Sequence, residues 1–134
     1  KGGDEINIIE AGNNYGWPIV SYGLDYTGAY ISPYTQRAGI TDPLLDWTPS
    51  TATSGLAVYR GAAFADWQGD LLAGGLIEKS LRRVDMENGE VVGQTVLLRE
   101  VDERIRDVRV GPDGLIYVLT DSPDGKLLRL VPDR

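Results

Sequence analysis

Neither cysteine nor histidine occurs in the 134 residues. Without cysteine there is no disulfide framework and no thiolate zinc site. Without histidine the commonest general base and metal ligand is missing, so any chemistry that needs imidazole must take it from elsewhere. Basic runs are also lacking: 13 Lys and Arg stand against 20 Asp and Glu, a net charge of -7. That balance argues against nucleic acid and anionic membrane surfaces, both of which require clustered cations. No apolar stretch approaches the roughly 20 residues that span a bilayer as a helix, and no signal peptide is legible. Helix signals are poor throughout.

What is present instead is turn chemistry. Seventeen glycines and seven prolines punctuate many short runs rich in β-branched and aliphatic residues, the pattern of an all-β chain. The C-terminal half holds a degenerate repeat. One copy comprises Leu56 to Tyr59, Asp70 to Gly75, Ser80 to Met86 and Val91 to Leu98; the next comprises Ile105 to Val110, Leu115 to Thr120 and Lys126 to Val131. The third strands, around Leu81 and Leu127, lie roughly 45 residues apart, the period of a β-propeller blade. The turns E-N-G-E, G-P-D-G and S-P-D-G supply glycine where a positive φ is needed. The second copy ends after three strands, and in closed propellers a missing outer strand commonly comes from elsewhere in the chain. A β-sandwich with regular turns is the alternative. Residues 22–46, with Tyr22, Tyr26, Tyr30 and Tyr34, form a long irregular connection that either shapes a site or makes a surface excursion. No second domain is apparent.

The stretch K-G-G-D-E-I-N-I-I-E-A-G-N-N-Y-G-W-P, residues 1–18, reads as a strand through Ile6, Ile8 and Ile9 flanked by polar turns, with Gly16-Trp17-Pro18 fixing a corner. Together with Trp47 to Gly55, Asp70 to Ile77 and Arg104 to Gly114, it resembles the soluble quinoprotein sugar dehydrogenases, the glucose/sorbosone dehydrogenase family. The resemblance covers nearly the whole chain, but only the C-terminal portion of a family member. It implies a six-bladed β-propeller of which residues 1–134 form the last two to three blades, as the C-terminal fragment of a single domain.

Arg104 and Arg106 stand two apart in R-I-R-D-V-R-V, so on a strand both point to one face and Ile105 to the other. Two adjacent guanidiniums call for an anion, and a planar polycarboxylate suits their forks. A solvated strand face, or pairing with Asp102, Glu103 and Asp107, is the plainer alternative. The resemblance implies that both arginines contact pyrroloquinoline quinone (PQQ). It likewise implies that the loop Gly74-Gly75-Leu76-Ile77 touches this cofactor. The family often carries a lysine where this chain has Ile77; Lys79 follows two residues later, and either it substitutes through a shifted loop or cofactor affinity falls. A plain hairpin turn is the alternative. Trp47 and Ser50 match a loop at the mouth of the family's active site, where an exposed tryptophan suits stacking on a sugar; packing is the alternative. Trp17 and Trp67 are assigned to packing. Glu5 and Tyr15 match positions that bind Ca2+ in related aldose dehydrogenases, with carboxylate and backbone oxygens as hard ligands; a surface acid and a packed tyrosine are the alternative.

The implied activity is oxidation of an aldose to a lactone with PQQ and Ca2+ in the periplasm or outside the cell. The family's base is a histidine, which this chain lacks, so residues 1–134 alone are expected to be inactive. The expected partners are an aldose and either the N-terminal half of the propeller or a second copy. A non-catalytic binding or assembly module is the competing reading.

Overall fold

A computed structural model describes residues 1–133, which fall into two compact units, 1–51 and 52–133. No described helix is long and apolar enough to cross a membrane. The only helical pieces described are single 3-10 turns at 65–67 and 99–101.

The second unit carries both copies of the repeat. Strands β3 (Thr53–Val58), β4 (Leu71–Gly75), β5 (Ser80–Glu87) and β6 (Glu90–Leu97) form an antiparallel four-stranded sheet in that order. Strands β7 (Ile105–Val110), β8 (Ile116–Thr120) and β9 (Leu127–Leu130) form a three-stranded one. These are two successive propeller blades, the second with three strands. The β5–β6 hairpin turns on Asn88 and Gly89, both at positive φ (51° and 80°), the type I′ geometry that Asn-Gly favours because its twist matches the flanking strands. In S-P-D-G, by contrast, Gly125 is not at positive φ. That turn closes with the Gly125 amide donating to the Ser122 carbonyl at 3.0 Å.

Period-two burial follows from the pleat. Ile116, Val118 and Thr120 of β8 point inward, and Tyr117 and Leu119 alternate with them. Leu72, Leu81, Ile105, Val108, Ile116 and Val118 join Tyr59 in one core fed by both sheets. Trp67 packs there as expected, stacked on Phe64 at 4.5 Å and covered by the Arg83 guanidinium.

The first unit is mostly irregular. Strand β1 (Asp4–Ile6) pairs antiparallel with β2 (Leu45–Trp47). The strand anticipated through Ile8 and Ile9 stops at Ile6, and both isoleucines are exposed. The cause is local: the Tyr15 hydroxyl donates to the Ile8 carbonyl at 2.6 Å and accepts from the Glu10 amide at 2.7 Å. That clasp folds residues 8–15 back on themselves. Trp17, assigned to packing, is 71% exposed. Of residues 22–46, 22–44 are irregular as expected, with one isolated bridge between Leu24 and Tyr30, while Leu45 and Asp46 belong to β2.

Candidate functional site

Strand β7 does not alternate regularly. Ile105 pairs with Thr120 but Asp107 pairs with Leu119, so Arg106 is an extra, bulged residue. The bulge explains how Ile105 and Val108, an odd number of positions apart, are both fully buried. It also changes what lies opposite. Beyond the bulge, Arg104 faces Asp121, and the Asp121 amide donates to the Arg104 carbonyl at 2.7 Å. One carboxylate oxygen, Asp121 Oδ2, then accepts from Arg104 Nε at 3.1 Å and Arg106 Nη2 at 2.8 Å. These bonds hold the Asp121 carboxyl below its ordinary pKa, Arg104 contributing most.

The anticipated same-face arginine pair is therefore present, but its acid is not one of the three weighed beforehand. Asp102 bonds Lys79 at 2.9 Å, Glu103 bonds Lys126, and Asp107 bonds Arg109 at 3.0 Å. Both arginines are about half exposed.

A second bulge faces the first. Between the pairs Thr53 with Gly75 and Leu56 with Ala73, β3 carries one extra residue. Ser54 Oγ donates to the Ile105 carbonyl at 2.7 Å. A Cβ on Gly55 would stand 2.8 Å from the Val108 nitrogen and strike the Asp107 carboxylate, so only glycine permits this approach of β3 to β7. The two bulges frame an open cleft of about 530 Å³ lined by Ser54, Gly55, Leu56, Arg106, Asp107, Arg109 and Leu119.

Gly74 and Gly75 were expected in a loop approached by a flat ligand. They are instead buried residues of β4. A Cβ on Gly74 would meet Ser54 Oγ at 2.6 Å and Ile105 Cγ2 at 2.9 Å, so what comes close at Gly74 is the protein itself, directly beneath the arginine pair. The turn proper is 76–79. Leu76 donates its amide to the Ala52 carbonyl at 2.9 Å, Ile77 is 66% exposed, and Lys79 adopts a positive φ of 54°. The Lys79 ion pair with Asp102 ties this turn to the segment entering β7.

In the first unit, Glu5 and Tyr15 line one cavity of about 250 Å³ with Gly2, Gly3, Trp17, Val20, Ser21 and Ile31. Beside it, Asn7 Nδ2 donates to Glu5 Oε2 at 3.2 Å, and Asn7 Oδ1 is buried with no hydrogen-bond partner. No group of three or more His, Cys, Asp or Glu that could hold a metal occurs among the described residues, so a hard cation here would need amide and backbone oxygens beside the one carboxylate. Trp47 lies in β2 and is 5% exposed, so it offers no open face for stacking. Ser50 donates its hydroxyl to Asp4 at 2.8 Å, and the Thr51 amide donates to the same carboxylate at 2.8 Å. Trp47 and Ser50 thus bracket a loop pinned by Asp4. Sequence reasoning missed both Asp4 and Asp121, each an acid defined by its partners across a strand pair.

The sequence profile of the family described as Glucose / Sorbosone dehydrogenase matches residues 1–129. An uncharacterized protein of Synechocystis sp. (strain PCC 6803) is 46% identical over 97% of this chain and 32% of its own length. Aldose sugar dehydrogenase YliI of Escherichia coli (strain K12) is 41% identical over 98% of this chain and 36% of its own. The chain thus spans about a third of the length of these curated relatives. Among solved structures, a glucose dehydrogenase crystal structure superposes with a TM-score of 0.94 at 43% identity, covering 98% of this chain and 39% of that one. The PQQ-bound aldose sugar dehydrogenase of Streptomyces coelicolor shares the fold, with a TM-score of 0.63 at 23% identity over 96% of this chain and 36% of that one.

Proposed function

The chain belongs to the glucose/sorbosone dehydrogenase family, and we propose that it forms the C-terminal part of a PQQ- and calcium-dependent dehydrogenase that oxidises aldoses to lactones. The observation that carries the reading is the Arg104–Arg106 pair sharing one carboxylate oxygen. Two cations against one acid leave a positive centre in a chain of net charge -7, and that centre matches a planar polyanion.

In this reading PQQ, when bound, would supply the two-electron acceptor for the sugar's anomeric carbon, and a catalytic calcium, its ligands outside residues 1–134, would supply Lewis-acid activation of the quinone. Arg104 and Arg106 hold the cofactor's carboxylates through fork donors that Asp121 leaves over. The buried β4 segment ending at Gly75, with Leu76 and Ile77, forms the adjoining wall, and Ile77 makes it apolar. Glu5, with the Asn7 amide oxygen and a carbonyl of the Tyr15 loop, would hold a calcium ion; the Tyr15 hydroxyl is already committed to the loop backbone. Trp47 and Ser50 shape the substrate mouth by anchoring the 48–51 loop. The proton of the sugar hydroxyl goes to a base outside residues 1–134, which contain no histidine, so this chain alone turns over no sugar. It works in the periplasm or outside the cell, completed by the remainder of a single propeller domain or, in its absence, by self-association.

The test is a titration of the full-length protein with PQQ in the presence of Ca2+, followed by turnover of glucose with an electron-accepting dye. Arg104→Gln and Arg106→Gln should each weaken PQQ binding about tenfold or more, the loss of a charge-assisted pair. Absence of PQQ binding by the parent protein would leave a binding or assembly module as the function.

A further inference from the structure

The acid between the arginines has its own consequence. Each guanidinium carries five N–H donors in a rigid fork, and the shared Oδ2 takes one from each. Because both donors meet a single oxygen, the two forks cannot separate by more than that pair of bonds reaches. Two long side chains of like charge, left to themselves, would splay apart and sample many rotamers. Asp121 is itself fixed. Its amide is bonded to the Arg104 carbonyl, and it follows β8 at the register that the Arg106 bulge sets.

We infer that Asp121 is a positioning residue: it holds Arg104 and Arg106 at the spacing that grips a planar polycarboxylate, at the expense of general anion attraction. The inference rests on the quinoprotein reading above. It makes a prediction whose sign opposes simple electrostatics. Removing a negative charge beside two cations strengthens the field toward any anion. If Asp121 acts by position, its removal should nevertheless weaken the ligand that needs both forks aligned, while a compact anion, content with either fork, loses nothing.

The experiment compares the full-length protein with Asp121→Asn by calorimetric titration against PQQ and, separately, inorganic phosphate. Asp124→Asn, which removes the same charge from the exposed turn after Asp121, controls for net charge, and thermal melts confirm folding. The expected result is PQQ binding about tenfold weaker in Asp121→Asn, the worth of one hydrogen bond to a charged group, with phosphate binding equal or tighter. Asp124→Asn should leave PQQ binding within about twofold. Unchanged or tighter PQQ binding in Asp121→Asn overturns the inference, and so does an equal loss for phosphate, which would mean general damage to the site. A PQQ loss in Asp124→Asn equal to that in Asp121→Asn overturns it as well. If the parent protein binds no PQQ, the quinoprotein reading itself fails, an outcome distinct from the other three. Should Asp121→Asn not fold, Asp121→Ser replaces it in the same titrations.

Discussion

Residues 52–133 bury aliphatic side chains between two sheets and match half of their acids with arginine or lysine; residues 1–51 have little sheet and meet most of their acids with hydroxyls, backbone amides and side-chain amides. The charge counts show the contrast. Residues 52–134 have fourteen acids against eleven bases, residues 1–51 six against two. Asp70 of the second unit is met by Arg83, Glu78 by Arg82, and Asp121 by Arg104 and Arg106. In the first unit Asp4 is met by Ser50 and Thr51, and Asp25 by Thr27 and Ala29. One unit is held by area and ion pairs, the other by single carboxylates that gather loop donors. The first strategy spreads stability over many residues and the second concentrates it in few, which is how an irregular loop can still be well defined.

The largest effect should come from the core of the second unit. Tyr59 is fully buried, stands edge-on to Phe64 and Trp67, donates its hydroxyl to the Gly114 carbonyl at 2.8 Å and accepts from the Phe64 amide at 2.9 Å. Tyr59→Ala should cost about 3–5 kcal/mol, as for other large aromatic deletions. Tyr59→Phe keeps the ring but orphans two backbone groups, costing about 1–3 kcal/mol. Urea denaturation measures both. Equal losses in the two variants would mean that the hydroxyl, not the packed area, dominates, and the contrast between the units would collapse.

The counterpart in the first unit is Asp4→Ala. It strands the Thr51 amide and the Ser50 hydroxyl together, at about 1–3 kcal/mol. The loss should be local, so amide exchange at residues 50 and 51 should accelerate. Unaltered exchange there would show that the loop is held by something other than its carboxylate.

These assignments also show what could be read from the chain beforehand. Both blades were legible, strand by strand, because a half-buried sheet must alternate and because Asn-Gly and Pro-Asp-Gly mark its turns. The same-face arginines were legible for the same reason. Asp121 was not, although a trace of it is in the sequence. Ile105, Val108 and Val110 are the apolar positions of I-R-D-V-R-V, and the odd step from 105 to 108 cannot belong to an unbroken strand. Read as a bulge, that step moves the register by one and brings Arg104 opposite Asp121 instead of Ser122. Trp17, Ile8 and Ile9 were misjudged for the opposite reason. In the first unit burial is decided by which loop a distant hydroxyl or carboxylate pins down, and no periodicity records that.

The smallest effect should separate the two kinds of carboxylate by pH. Glu78 accepts from both Arg82 Nε and Nη2, at 2.8 and 2.7 Å, and from Ser80 Oγ at 2.8 Å. The Arg82 hydrogen bonds are the main reason its pKa lies below the ordinary 4.5. A carboxyl whose pKa is lower folded than unfolded binds fewer protons in the native state. Its stabilisation is therefore complete above the unfolded value and is lost as pH falls from about 4.5 through the folded value. Glu78→Gln should accordingly cost about 1 kcal/mol near neutral pH, the scale of a partly exposed ion pair. That gap to the parent protein should close steadily below pH 4.5, because there the parent's own Glu78 becomes neutral. Urea midpoints measured at neutral pH and at several points below 4.5 follow it. A gap that persists unchanged into acid would mean that Glu78 acts through shape and neutral hydrogen bonding, the first unit's strategy transplanted into the second.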